Sequence, residues 1–129
     1  MAGDILAGRR VLVVEDEALI AMDIEDALRA LGCEVVGPTG MLAAALQLAS
    51  GETLDAAILD VSIHGGKVFA VAERLMARGV PFILASGYSD WALPEPLRDR
   101  PRLTKPFTPA QLEEQMRLLC GSAAKSRRA

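Results

Sequence analysis

Aromatic residues are scarce in this chain of 129 residues, with three Phe, one Trp and one Tyr making up 4% of it. The core must then be aliphatic, which suits helices packed on a parallel sheet. Cysteine is also scarce: Cys33 and Cys120 form neither a metal-ligand spacing nor a disulfide framework, so a reducing cytosol fits best. The one histidine, His64, has no second ligand at useful spacing, which makes it an exposed loop residue rather than a metal ligand or phosphodonor. There is no excess of positive charge. The formal net charge is -3 and the only basic cluster, Lys125, Arg127 and Arg128, lies near the C-terminus, so no nucleic-acid partner is expected. No apolar stretch has the length of a signal peptide or a membrane span, which removes a membrane partner and points to the cytoplasm. The length suffices for one domain with a continuous core.

What is present is an alternation of short apolar runs and amphipathic stretches. Val11-Leu12-Val13-Val14 reads as a strand, and Ile20, Ile24, Ala27, Leu28 and Leu31 follow at helical spacing before Gly32, a C-terminal cap. Residues 33–36 form a second strand ended by Gly37-Pro38, and Leu42, Ala45, Leu46 and Ala49 mark the next helix. Ala56-Ala57-Ile58-Leu59 is a third, buried strand. Residues 62–66 carry turn chemistry, and Val68, Val71, Ala72 and Leu75 mark a third helix before Gly79. A fourth strand spans 80–85. Pro94 and Pro96 prevent a long regular helix in the next segment, so helix four is expected short or broken. Thr108, Pro109 and Gln111 make a strong start signal for the last helix, whose stripe is Leu112, Met116 and Leu119. This alternation implies parallel strands with right-handed crossovers: an α/β, flavodoxin-like (βα)5 three-layer sandwich with a five-stranded sheet of order 2-1-3-4-5.

Charged residues end three of the strands. Glu15 and Asp16 close the first run, Asp60 closes the third, and Lys105 follows the last short run, before Pro106. In an open parallel sheet ligands bind at the carboxyl ends of the strands, so these four side chains can converge although they lie far apart in sequence. A lone acid at a strand end is usually a cap or a solvated turn residue. The acidic pair, single Asp, Ser86-Gly87 and Lys105-Pro106 occur in order, each after its own strand, and no requirement of the fold alone produces all four.

Together these residues resemble the receiver domain of two-component response regulators over about residues 9–120. The resemblance implies that Asp60 is the phosphoacceptor and that Asp16 and Asp60 bind Mg2+ directly. It further implies that Glu15 holds a metal water, the Ser62 backbone carbonyl completes the protein ligands, Lys105 and Ser86 contact the phosphoryl oxygens, and the Lys105–Pro106 bond is cis. A divalent cation is needed because each like-charge pair at about 4 Å costs on the order of 4 kcal/mol at an effective dielectric near 20. Two departures stand out: Ser86 replaces the usual Thr, and Arg102 replaces the usual aromatic three positions before the lysine. The segment Leu84-Ala85-Ser86-Gly87-Tyr88 is similar to the FATGUY group of often single-domain receivers. The switch is accordingly expected at Ser86, Gly87 and Tyr88, with Arg102 unable to play the aromatic's part. Trp91 reads as a packing residue.

The expected domain organisation is an N-terminal extension at 1–8, a receiver at 9–120 and a flexible basic tail at 121–129. The function implied is a stand-alone response regulator, not an enzyme beyond its own phosphotransfer and dephosphorylation. It would receive phosphate from a histidine kinase or histidine phosphotransferase and act on a downstream protein partner, as a monomer or weak dimer. Two alternatives stay open: a pseudo-receiver that binds partners without phosphorylation, and an aspartyl-phosphate phosphatase of the haloacid-dehalogenase type. The latter needs a second acid two residues after the nucleophile, where Ser62 stands. Gly65-Gly66-Lys67 lacks the preceding glycine of a P-loop and does not follow the first strand.

Overall fold

The computed structural model describes residues 4–63, 66–87 and 93–128, and for 122–128 the backbone alone. In chain order the elements are β1 (Arg10–Val14), α1 (Ala18–Ala30), β2 (Glu34–Thr39), α2 (Leu42–Gly51), β3 (Ala56–Asp60), a small hairpin of β4 (Ser62–Ile63) and β5 (Gly66–Lys67), α3 (Phe69–Ala77), β6 (Phe82–Ser86), a 3-10 turn (Glu95–Leu97), β7 (Arg102–Thr104) and α4 (Pro109–Arg128). Five strands form one parallel sheet of order β2-β1-β3-β6-β7. Counting only the strands of that sheet, this is the expected order 2-1-3-4-5. The proline-rich segment before β7 contributes the 3-10 turn and no regular α-helix among the described residues.

Side chains along a strand point alternately to opposite faces, and both faces here are covered. Leu12, Val14, Ala57, Leu59, Phe82 and Leu84 pack with Ala45 and Ala49 of α2 and Val71, Ala72 and Leu75 of α3. Val11, Val13, Ile58, Ile83 and Ala85 pack on the other face, with Ile24 and Leu28 of α1 and Leu112, Met116 and Leu119 of α4. β1, β3 and β6 are the three interior strands, which is why they read as unbroken apolar runs. Helix ends follow local chemistry. Gly32, with φ +89°, lets its own N–H reach Arg29 O and that of Cys33 reach Leu28 O, a Schellman closure of α1. At the start of α4, Gln111 N–H donates to Thr108 Oγ1 at 3.1 Å and Thr108 N–H donates back to Gln111 Oε1 at 2.8 Å, a complete capping box.

Several expectations are corrected. β2 does not stop at Gly37-Pro38 but runs through them to Thr39. As an edge strand it tolerates a residue without an N–H. Its register jumps from the pair Leu12 and Val36 to the pair Val14 and Thr39, so β2 carries one extra residue against β1. The segment 62–66, expected to carry turn chemistry, also supplies strand residues to the antiparallel β4–β5 pair. Residues 4–8, expected as an extension, belong to the packed body: Leu6 is completely buried among the α1 and α4 side chains, and Arg117 of α4 donates to Asp4 Oδ1 at 3.2 Å. An isolated leucine has no periodicity and gives no signal in sequence. The helical backbone of α4 passes the boundary expected at 120 and continues to Arg128.

Candidate functional site

Each site residue stands where its strand runs out. β1 delivers Glu15, whose N–H donates to Thr39 O at 2.9 Å, and then Asp16. β3 delivers Asp60, and Val61 N–H donates to Ala85 O at the neighbouring strand end. β6 ends in Ser86, whose carbonyl accepts the Lys105 N–H at 2.9 Å, so backbone bonds carry the lysine to the sheet edge. The Lys105–Pro106 bond is cis. Glu15, Asp60 and Ser86 are the only buried polar or charged residues among those described.

The geometry is that of a crowded acid cluster bridged by a lysine. Carboxylate oxygens of Glu15, Asp16 and Asp60 lie within 4.8 Å of one another. Lys105 Nζ sits 2.8 Å from Glu15 Oε1 and 3.2 Å from Asp60 Oδ2. Glu15 Oε2 accepts the Glu17 N–H at 3.1 Å, and Asp60 Oδ1 accepts the Ser62 N–H at 3.4 Å. Burial first, and then the neighbouring Glu15 carboxylate, push the Asp60 carboxyl up to about 7 against the opposing pull of Lys105. Burial also works against the Lys105 charge, yet the Glu15 and Asp60 carboxylates outweigh it and hold the ammonium above its usual range.

These residues fit a hard divalent cation. All donors are oxygens, three carboxylates lie together, and buried Glu15 Oε1 has no aligned hydrogen-bond donor despite its ion-pair contact with Lys105. Ser62 contributes its N–H to Asp60, while its hydroxyl accepts from Lys67 Nζ at 2.7 Å. Lys67, Glu17 and the Thr39-Gly40 turn are neighbours of the site that sequence reasoning missed. Backbone contacts and a lysine five positions from Ser62 carry no motif. Arg102 is not brought to the cluster: it opens β7 opposite Leu84, at the other end of that short strand from Lys105. Tyr88, His64 and Trp91 lie outside the described residues.

No family model matches the chain. It is 36% identical over 113 residues to the transcriptional regulatory protein PdtaR of Mycobacterium tuberculosis, a match covering 84% of this chain and 55% of PdtaR. It thus spans about half the length of the curated relatives it matches. SdrG of Sphingomonas melonis Fr1 is 43% identical, covering 88% of this chain and 97% of SdrG with a TM-score of 0.76. The receiver domain of a sensor histidine kinase from Pseudomonas aeruginosa PAO1, with magnesium coordinated in its active-site cleft, is 25% identical and covers 89% of this chain and 99% of that domain at a TM-score of 0.74. With the sheet order and the strand-end acids, these similarities show that the chain belongs to the response regulator receiver family of phosphorelay signalling.

Proposed function

We propose that Asp60 is the phosphoacceptor. Its carboxylate attacks the phosphorus of a phosphohistidine on a histidine kinase or histidine phosphotransferase, forming a P–O bond as the P–N bond breaks, with the leaving imidazole taking up a proton. A small acyl phosphate serves in the same way. The observation that carries this reading is the Glu15, Asp16 and Asp60 cluster with Lys105 bridging two of its members, which gathers three carboxylates around one point at the sheet edge. Asp16 and Asp60 would hold Mg2+, with Glu15 on a metal water and the Ser62 backbone carbonyl as a further ligand. Bound there, Mg2+ supplies the positive charge that keeps Asp60 ionised and offsets the incoming phosphoryl group. Lys105 then turns from the carboxylates to the phosphoryl oxygens, and Ser86, buried at the end of β6, donates its hydroxyl to one of them.

The chain acts through its phosphorylated state on a downstream protein partner in the cytoplasm, as a monomer or weak dimer, and takes part in its own dephosphorylation. We assign the switch to the chain leaving β6 at Ser86 and Gly87, because Arg102 cannot fill the apolar slot of a rotating aromatic. A groove of about 800 Å³ between α1 and α4, lined by Ile20, Ile24, Phe107 and Leu112 and opening beside Lys105, supports docking of the phosphodonor protein next to the acceptor.

Incubation with acetyl phosphate and Mg2+ followed by intact mass measurement tests the assignment. The wild type should gain one phosphate-sized increment and Asp60→Asn none, while staying folded. An Asp60→Asn protein labelled at the wild-type rate overturns it. Mg2+ at a hundred times its Kd should stabilise the fold by about 2.7 kcal/mol, and Asp16→Ala should remove most of that gain in thermal melts.

A further inference from the structure

The extra residue in β2 carries the turn between β2 and α2 over the end of β1. There Thr39 O accepts the Glu15 N–H, Met41 N–H donates to Thr39 Oγ1 at 3.3 Å, and Gly40 lies directly on the acidic pair. A Cβ on Gly40 would stand 2.6 Å from Asp16 Cα, 2.8 Å from Asp16 Cβ and 3.1 Å from Glu15 O. Carbon atoms pack best at about 3.5–4.0 Å. None of the three atoms sits at the far end of a flexible side chain, so no rotamer change relieves the clash. Gly40 is needed for space rather than for a left-handed backbone, since its φ lies outside that region.

We propose that Gly40 is a positioning residue of the metal site: by lacking a side chain it lets the β2–α2 turn seat against the Asp16 backbone and fix that carboxylate beside Asp60. This rests on the reading of Asp16 as a Mg2+ ligand. A methyl group at position 40 separates the turn from Asp16, and octahedral Mg2+ tolerates little error in ligand placement. Changes to residues that orient metal ligands lower affinity roughly 10–100-fold.

Calorimetric titration with Mg2+ tests this on the wild type, Gly40→Ala, Gly51→Ala, Asp16→Ala and the Asp16→Ala/Gly40→Ala double variant. Gly40→Ala should weaken binding by roughly 10–100-fold. Gly51→Ala, whose Cβ would meet nothing within 4 Å, should bind as the wild type does. In the Asp16→Ala background the Gly40 change should add little, because its effect passes through Asp16. If Gly40→Ala binds as tightly as the wild type while Asp16→Ala does not, the inference is overturned and the metal site stands. If Asp16→Ala binds normally, the metal-site reading itself falls, and the inference with it. Should Gly40→Ala fail to fold, NMR of the wild type decides: the Gly40 amide resonance should move together with that of Asp16 as Mg2+ is added, and a Gly40 signal unmoved at saturation overturns the inference.

Discussion

The two ends of the sheet carry the same kinds of side chain and put them to different use. Where the strands begin, Arg10 pairs with Glu34 and, at 2.7 Å, with Glu52; its Nε donates to Thr53 O, and its backbone N–H donates to Asp55 Oδ2 at 2.9 Å. Arg9 lies 3.8 Å from Asp55. These side chains are 17–58% exposed, so each charge has both a partner and water. Pairs of that kind are worth under about 1 kcal/mol each. Where the strands finish, Glu15 and Asp60 are 1% and 7% exposed and share one ammonium, with Asp16 alongside. The first end is a satisfied network that helps close the fold. The second gathers three carboxylates, two of them buried, within reach of one another at the edge where the strands end, and that crowding marks it as the place where something binds.

Breaking the comparison at the acidic end should give the largest effect. Lys105→Met removes the cation that bridges two buried carboxylates, so without metal the domain should lose about 3–5 kcal/mol at neutral pH, measured by urea unfolding. Asp60→Asn should act with the opposite sign, stabilising the metal-free protein by on the order of 1–2 kcal/mol through relief of like-charge crowding. At the other end Asp55→Ala should cost about 1 kcal/mol, because the Arg10 N–H loses its acceptor, and phosphate uptake should be unchanged. Equal signs for Asp60→Asn and Asp55→Ala would erase the distinction between the two ends.

The same end of the sheet should also give a pH slope. With chelator present, folding raises the Asp60 carboxyl from its ordinary 3.8 to about 7, so the folded state holds this proton more tightly than the unfolded state does. Its contribution is complete below 3.8 and is lost as the pH rises through about 7. Urea midpoints should therefore fall across that window in the wild type and flatten in Asp60→Asn. A slope retained by the variant would assign it to other groups.

Much of this molecule was legible in sequence because local chemistry and strand period act over a few residues. The unbroken apolar runs gave β1, β3 and β6 because both faces of those strands are covered, and Thr108 with Gln111 gave the start of α4 because a capping box is closed by neighbours three apart. The order of the strand-end residues gave Glu15, Asp16, Asp60, Ser86 and Lys105, since in a parallel sheet every strand finishes at the same edge. Tertiary structure alone decided the rest. Leu6 is buried only because α1 and α4 leave a place for it, and Pro38 stays in β2 only because that strand is an edge. Gly40 looks like any turn glycine until a one-residue register jump sets it on Asp16. Contacts of this kind depend on how separate segments meet, and a single segment's periodicity carries no record of its neighbour.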